Sequence, residues 1–223
     1  MTYVISDLNG CFDKFEKLLE KIRFSDNDVL YVLGNIVDHG DKSMELLCDL
    51  SMRVNVLPIL GDCDYRAQRL LTELDKLLKG GSADPEVLSD MTAWITEGGQ
   101  KTMEGFKALD DEMKEGVLEY FEDMLLYEEL TVKGKKYLLV HAGIADFDPD
   151  TPLEDYMPED FIGEPIDPSR PLLDGVTVIA GHVPTSTGKI FYGEGCILIN
   201  CGAAFGGALG CLCLENGKEY YVE

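Results

Sequence analysis

Apolar positions recur at two spacings along the chain, and the switches between them outline the molecule. Thr2 to Ser6 and Asp28 to Leu33 are short, β-branched-rich runs that read as buried strands, and Val54 to Leu60 reads as a third. Pro58 has no N–H for a ladder, which places that third strand at a sheet edge or bends it near its end. Between the strands, Phe12, Phe15, Leu18, Leu19 and Ile22 return at helical spacing, so 11–24 predicts an amphipathic helix; 43–52 predicts a second. Strand and helix therefore alternate β-α-β-α-β, the sign of a parallel sheet with right-handed crossovers.

From 65 to about 126 the strand pattern disappears. Leu70, Leu71, Leu74, Leu77 and Leu78 form one helical stripe, a Gly80-Gly-Ser-Ala-Asp-Pro85 break follows, and helical patterns resume at 87–95, 102–109 and 112–126. This stretch predicts a helical insertion or cap on a single domain spanning 1–223. Strand signals return at 127–132, 136–140 and 176–180, with a long acidic loop at about 146–174 in between. Four last strands, at 189–192, 196–200, 208–214 and 219–222, predict an antiparallel meander with hairpin turns at Gly193-Glu-Gly195 and Glu215-Asn-Gly217.

Composition narrows the setting. The 223 residues are 45 % hydrophobic, normal for a soluble globular protein. No apolar run is long enough to span a bilayer, and Met1-Thr-Tyr-Val-Ile5 lacks the basic region of a signal peptide. Seven cysteines without regular spacing do not make a disulfide framework, so a cytoplasmic protein with reduced thiols is expected. A formal charge of −23 argues against nucleic acid or an anionic membrane as partner, because phosphate surfaces demand a basic face. Most of the imbalance lies in 84–128 and 146–174, which are solvated surface or a docking face for a basic protein partner.

The chemistry gathers at strand ends. Asp7 and Asn9 follow the first strand, Asn35 and Asp38 the second, and Asp62, Cys63 and Asp64 the third; His141 and His182 follow two later strands. All three histidines of the chain, His39 included, fall at such ends. In parallel α/β sheets that edge is where ligands bind. Carboxylates and imidazoles together suit Mn, Fe or Zn, ions that activate water and neutralise phosphate oxygens.

The turns read, in order, Asp7-Leu-Asn-Gly10, Gly34-Asn-Ile-Val-Asp-His-Gly40, Gly61-Asp-Cys-Asp64, Val140-His-Ala-Gly143 and Gly181-His-Val-Pro184. This order resembles the calcineurin-like metallophosphoesterase superfamily, and more narrowly its bacterial serine/threonine protein phosphatases and diadenosine tetraphosphatases. Trp94-Ile-Thr-Glu-Gly-Gly-Gln-Lys-Thr102 and Ile199-Asn-Cys-Gly-Ala-Ala-Phe-Gly-Gly207 are similar to two further runs of that family. The resemblance implies a β-sandwich flanked by helices, of mixed α/β (α+β) class. It also implies hydrolysis of phosphomonoesters by metal-activated water, with a phosphoprotein or small phosphoester as substrate.

Carried over by position, the resemblance implies metal ligands at Asp7, Asn9, Asn35, Asp62, His141 and His182, catalytic roles for His39, Cys63 and Asp64, and support of the histidine network by Asp38. Several of these positions depart from the family pattern. Asn9 stands for a histidine, Asn35 for the carboxylate that bridges two metals, Asp62 for an asparagine, Cys63 for a histidine acid and His39 for a phosphate-clamping arginine. A neutral amide bridges two cations poorly, so one divalent ion rather than two is expected, on Asp62, His141 and His182 with Asn35 as a fourth oxygen. Arg66, Arg69 and Arg170 are the positional candidates for the missing clamp. Cys211 and Cys213, at i and i+2, read as core, and Trp94 as a packing anchor. The lead expectation is an enzyme with an altered site; the rival is a catalytically inactive pseudophosphatase acting as a binding or regulatory module.

Overall fold

The computed structural model describes residues 1–223. Its first half follows the predicted alternation: β1 (Thr2–Ser6), α1 (Phe12–Ile22), β2 (Val29–Leu33), α2 (Ser43–Ser51) and β3 (Val56–Ile59). β1 and β2 pair in parallel, as do β2 and β3, and β3 lies at the sheet edge, where Pro58 removes no ladder bond that an outer neighbour would need. The helical stretch contains α3 (Asp62–Leu78), α4 (Pro85–Trp94), a π-turn (Ile95–Gly99), α5 (Gln100–Ala108) and α6 (Asp111–Glu122). Pro85 at the first turn of α4 and the Asp110 carboxylate on the Met113 amide start two of these helices as their residue types dictate.

The second half supplies β4 (Tyr127–Val132), β5 (Lys135–Val140), α7 (Pro158–Ile162), β6 (Val176–Ala180), β7 (Phe191–Tyr192), β8 (Cys196–Leu198), β9 (Leu209–Cys213) and β10 (Glu219–Val222). The last four strands are not one meander. Both hairpins form, but β7–β8 adds to β6, with β8 running parallel to it, whereas β9–β10 crosses to pair antiparallel with β1. The reason is burial: all five residues of β9 are inside, which suits a strand flanked on both sides by others. Two five-stranded sheets result, ordered β10-β9-β1-β2-β3 and β4-β5-β6-β8-β7.

Period-two alternation distributes the core. Val4, Leu33, Ile59 and Leu212 meet Leu139, Ile179 and Ile197 between the sheets, while Ile5 and Val32 face the other way, toward Phe15, Leu46, Phe106 and Phe121 on the helices. Leu138, Val140 and Val178 on the outer face of the second sheet are covered by Ile144, Phe161 and Ile162. The acidic stretch is thus more ordered than its composition suggests, because Phe161 and Ile162 of α7 anchor it. All seven cysteines are unpaired, with Cys211 and Cys213 buried in the helix-side core. No helix is long and apolar enough to cross a membrane.

Candidate functional site

The loops after β1, β2, β3, β5 and β6 meet at one edge of the sandwich, and their backbones are tied before any side chain acts. Asp7 N donates to Gly34 O, Asn9 N to Asn35 O and Gly10 N to Ile36 O. Asp7, Asn9, Asn35, Asp38, His39 and His182 all hold left-handed backbone, with φ between 41° and 72°. Asn, Asp and His tolerate that region best among non-glycine residues, and its concentration here is strain of the kind functional sites retain. Gly34 is required by contact: a Cβ there would lie 2.5 Å from His141 Nδ1 and 2.6 Å from Gly61 Cα.

Asp62, His141 and His182 converge so that one ligand atom from each lies within 4.8 Å of the others. Asp62 Oδ1 is 2.9 Å from His141 Nε2 and 3.2 Å from His182 Nδ1, and the two ring nitrogens are 3.2 Å apart. His141 is fully buried, and its Nδ1–H donates to the Leu33 carbonyl at 2.8 Å, which leaves Nε2 aimed at the cluster. His182 is positioned through its backbone: its N–H donates to Asp7 Oδ2 and its carbonyl accepts from Asn200 Nδ2. Burial alone would raise the Asp62 carboxyl, but hydrogen bonds from His141, His182 and Asn35 hold it far below the usual carboxylate range. Burial alone would lower His141; the Asp62 bond and the Asp7 charge raise it instead.

Asn35 does not present an oxygen to this cluster. Its Oδ1 accepts from the Cys63 amide at 2.9 Å, which fixes the orientation of the side chain. Its Nδ2 therefore donates to Asp62 Oδ1 at 3.0 Å and Asp7 Oδ1 at 3.2 Å. The amide links two carboxylates by donated hydrogens, where a bridging carboxylate would link two cations. The expected fourth oxygen is thus turned away. Asn9 is likewise engaged, its Nδ2 donating to Val37 O at 3.2 Å. Asp7 is buried, and both of its oxygens accept N–H donors; burial raises its carboxyl, with the His141 charge opposing. Asp62, His141 and His182 fit one transition-metal ion; Asp7, Asn9 and Asn35, with amide hydrogens facing inward, do not fit a second.

Other expected residues sit elsewhere in the architecture. Asp64, expected as catalytic, is fully buried: Oδ1 accepts the Ile36 and Val37 amides and Oδ2 reaches back to Gly61 N, so it caps α3 and fastens the second turn. Cys63 has its Sγ 4.0 Å from Asn9 Nδ2, and burial followed by the Asp62, Asp38 and Asp64 charges pushes its thiol far up, so it is a poor proton donor. Asp38 does not support the histidines. Its carboxylate accepts from Trp94 Nε1 and Thr102 Oγ1, each at 2.7 Å, and joins the second turn to the helices. Trp94 is therefore a packing anchor, as expected, and a donor as well. Arg66 is bound by Glu97 at 2.6 Å and Asp90 at 3.1 Å, Arg69 pairs with Asp90, and Arg170 lies exposed beside Asp167. His39 is exposed on the second turn, against Gly98 on one side and the Phe205 ring on the other. Sequence reasoning missed the Leu33 carbonyl, which carries no side-chain signal, and Asn200, whose signal was its place in the late run 199–207.

A family model described as calcineurin-like phosphoesterase matches residues 2–213. The chain belongs to that family. Members of the calcineurin-like phosphoesterase family use divalent metals, and the Asp62–His141–His182 group is the one set of acidic and imidazole side chains here that closes around a common point. Curated relatives match over short stretches. A symmetrical bis(5'-nucleosyl)-tetraphosphatase from Mannheimia succiniciproducens is 51% identical over 47 residues, which cover 21% of this chain and 17% of the relative. A protein of the same name from Haemophilus influenzae is 42% identical over 76 residues, 33% of this chain and 27% of its own length. The chain therefore matches well under half of the length of these relatives. Among solved structures, a serine/threonine phosphatase from Saccharomyces cerevisiae is similar with a TM-score of 0.64 at 14% identity, over 94% of this chain and 71% of the other. A metallophosphoesterase from Sphaerobacter thermophilus has a TM-score of 0.59 at 16% identity, over 100% and 88%. These similarities show the fold of the chain.

Proposed function

We propose that the protein hydrolyses phosphoester bonds with a single divalent ion held by Asp62, His141 and His182. The observation that carries this reading is the convergence of their ligand atoms within 4.8 Å, with His141 fixed in one tautomer by Leu33 O. When bound there, a divalent ion supplies a water of lowered pKa and a positive charge beside the phosphate oxygens. The chain's own residues do the rest. Leu33 O and Asp62 hold the His141 ring, Asp7 and Asn200 hold the His182 backbone, and Asn35 keeps the Asp7 and Asp62 carboxylates at a fixed spacing. His39, on the same turn as Asn35, is the candidate for a phosphate contact in place of an arginine.

Relative to a two-ion centre, the bridging carboxylate, an imidazole acid and an arginine clamp are replaced. Each replacement removes transition-state stabilisation, on the order of 10²-fold in rate. A slow enzyme on activated phosphoesters follows, of the serine/threonine phosphatase or dinucleoside tetraphosphatase type that the relatives' names suggest. The test is turnover of an aryl phosphate with added Mn²⁺, beside His182→Ala and beside the combined variant Asn9→His, Asn35→Asp, Asp62→Asn and Cys63→His. Metal-dependent wild-type turnover that falls to background in His182→Ala is expected, with a faster combined variant. A silent wild type with an active combined variant would sink the enzyme reading and leave the binding module in its place.

A further inference from the structure

Phe205 is 65% exposed, more than Phe191 or Tyr192, the other exposed phenylalanine and tyrosine rings. An exposed ring is common on protein surfaces, but this one is held on both sides. It ends a short 3₁₀ turn, Ala203–Phe205, between Gly202 (φ 79°) and Gly206 (φ 85°). Lys14 Nζ donates to Ala203 O at 3.0 Å and to Gly207 O at 2.6 Å, clamping the turn at its two ends. Gly202 N donates to Asn200 Oδ1, and the same Asn200 side chain donates to the His182 carbonyl. The loop that carries the ring is thus fastened to a candidate metal ligand.

The second attachment is His39. Its ring centroid is 5.1 Å from that of Phe205, at an interplanar angle of 59°. Its backbone N–H donates to Gly98 O, and Gly98 lies so close that a Cβ there would come within 2.4 Å of His39 Nδ1. His39 therefore stands between Gly98 and Phe205, and it belongs to the same turn as Asn35, whose amide touches Asp62. Two rims of the site, the 34–40 turn and the 200–207 loop, meet through one exposed pair of rings in contact. Two glycines and a half-buried lysine clamp fix the backbone of the loop that carries a ring left mostly exposed. An exposed aromatic face on a loop tied through Asn200 to His182 suits one ligand chemistry: a planar ring carried on a phosphorylated substrate.

We propose that Phe205, backed by His39, is the stacking platform for an aromatic ring of the substrate, a nucleobase or the aryl group of a phosphate ester. This rests on the reading of Asp62, His141 and His182 as the phosphate end of the site. Ring stacking on an aromatic side chain is lost on truncation with a drop of about 5- to 150-fold in affinity.

The test is binding, so that it stands apart from turnover. AMP, phenyl phosphate and ribose 5-phosphate are titrated in the presence of Mn²⁺ into the wild type, Phe205→Ala, Phe205→Leu and Phe205→Trp. The wild type is expected to prefer at least one of the two ring-bearing ligands to ribose 5-phosphate by 5-fold or more. Phe205→Ala and Phe205→Leu lose that preference; Phe205→Trp keeps it, and the indole it introduces is quenched by the preferred ligand. A preference for AMP alone identifies a nucleobase, and one for phenyl phosphate an aryl ester. Equal affinities in the wild type, no binding of either ring-bearing ligand, or a preference that survives Phe205→Ala overturns the proposal. A protein that stacks AMP yet turns over no phosphoester would refute the hydrolytic reading and leave the platform standing.

Discussion

At the scale of single residues, the decisive atoms are Asp62 Oδ1 and His141 Nε2. Without metal the two share a proton, and the sign of its linkage is fixed by the two shifts. His141 is raised, so its contribution to stability is complete below its unfolded value of about 6.5 and is lost as pH rises through the folded value. Asp62 is lowered, so its contribution is present above about 3.9 and is lost as pH falls through its depressed value. In chelator, the stability difference between wild type and Asp62→Asn is expected to be greatest between about pH 4 and 6.5 and to shrink above that window, as read from urea unfolding at each pH. Metal binding has the opposite slope, since the ion must displace that proton: Mn²⁺ affinity rises with pH through the same range. At an excess of about 100 times its dissociation constant the ion adds about 2.7 kcal/mol, which for a chain of this size raises Tm by about 5–10 °C. Thermal melts of His182→Ala with and without Mn²⁺ should coincide.

Residue types and their order were enough to find this cluster from the sequence, because strand ends pool their side chains in any parallel sheet. Direction was not legible. Asn35 reads equally as ligand or hydrogen-bond donor until the Cys63 amide is seen to take its oxygen. Asp64 is a second case: an acid three residues beyond a glycine that starts a helix is a capping pattern, and proximity to Asp62 disguised it as chemistry.

Among elements, the joint between the second turn and the helices matters most. Thr102 both donates to Asp38 Oδ1 and accepts from Asp38 N, and Trp94 binds the other oxygen. Thr102→Val should cost about 1–3 kcal/mol, because Asp38 is buried and loses a partner it cannot replace with water. Gly99→Ala should cost at least as much, since a Cβ there falls 2.2 Å from Trp94 Cε2, and the Trp94–Asp38 bond would shift with the ring. Chemical denaturation measures both. The run from Trp94 to Thr102 was visible in the sequence, but its target was not, because Asp38 lies 56 and 64 residues upstream. Hairpin turns were legible for the same reason that sheet membership was not: Gly193 to Gly195 and Glu215 to Gly217 are local signals, while β9 finds β1 across most of the chain.

For the whole molecule, charge sets the conditions. A net of −23 repels itself, and the two acidic stretches concentrate the repulsion. Screening shortens its reach from about 30 Å at 0.01 M salt to about 10 Å at 0.1 M. Tm is therefore expected to climb with NaCl over that range, and neutralising Glu112, Glu115 and Glu119 on α6 to glutamine should flatten the climb. A melt that is indifferent to salt would mean that the acidic faces are too far apart to matter.

The pairing of Val4 with Leu212 has a consequence for how the protein is made. At a synthesis rate of about 5–20 residues per second, some 200 residues separate the appearance of β1 from that of its second neighbour, an interval of about 10–40 s. Throughout it the emerging polypeptide carries an apolar strand with one open edge, a template for any extended segment nearby. Chains halted before Leu209 should accumulate in inclusion bodies or on chaperones, and release only when translation has delivered the last hairpin.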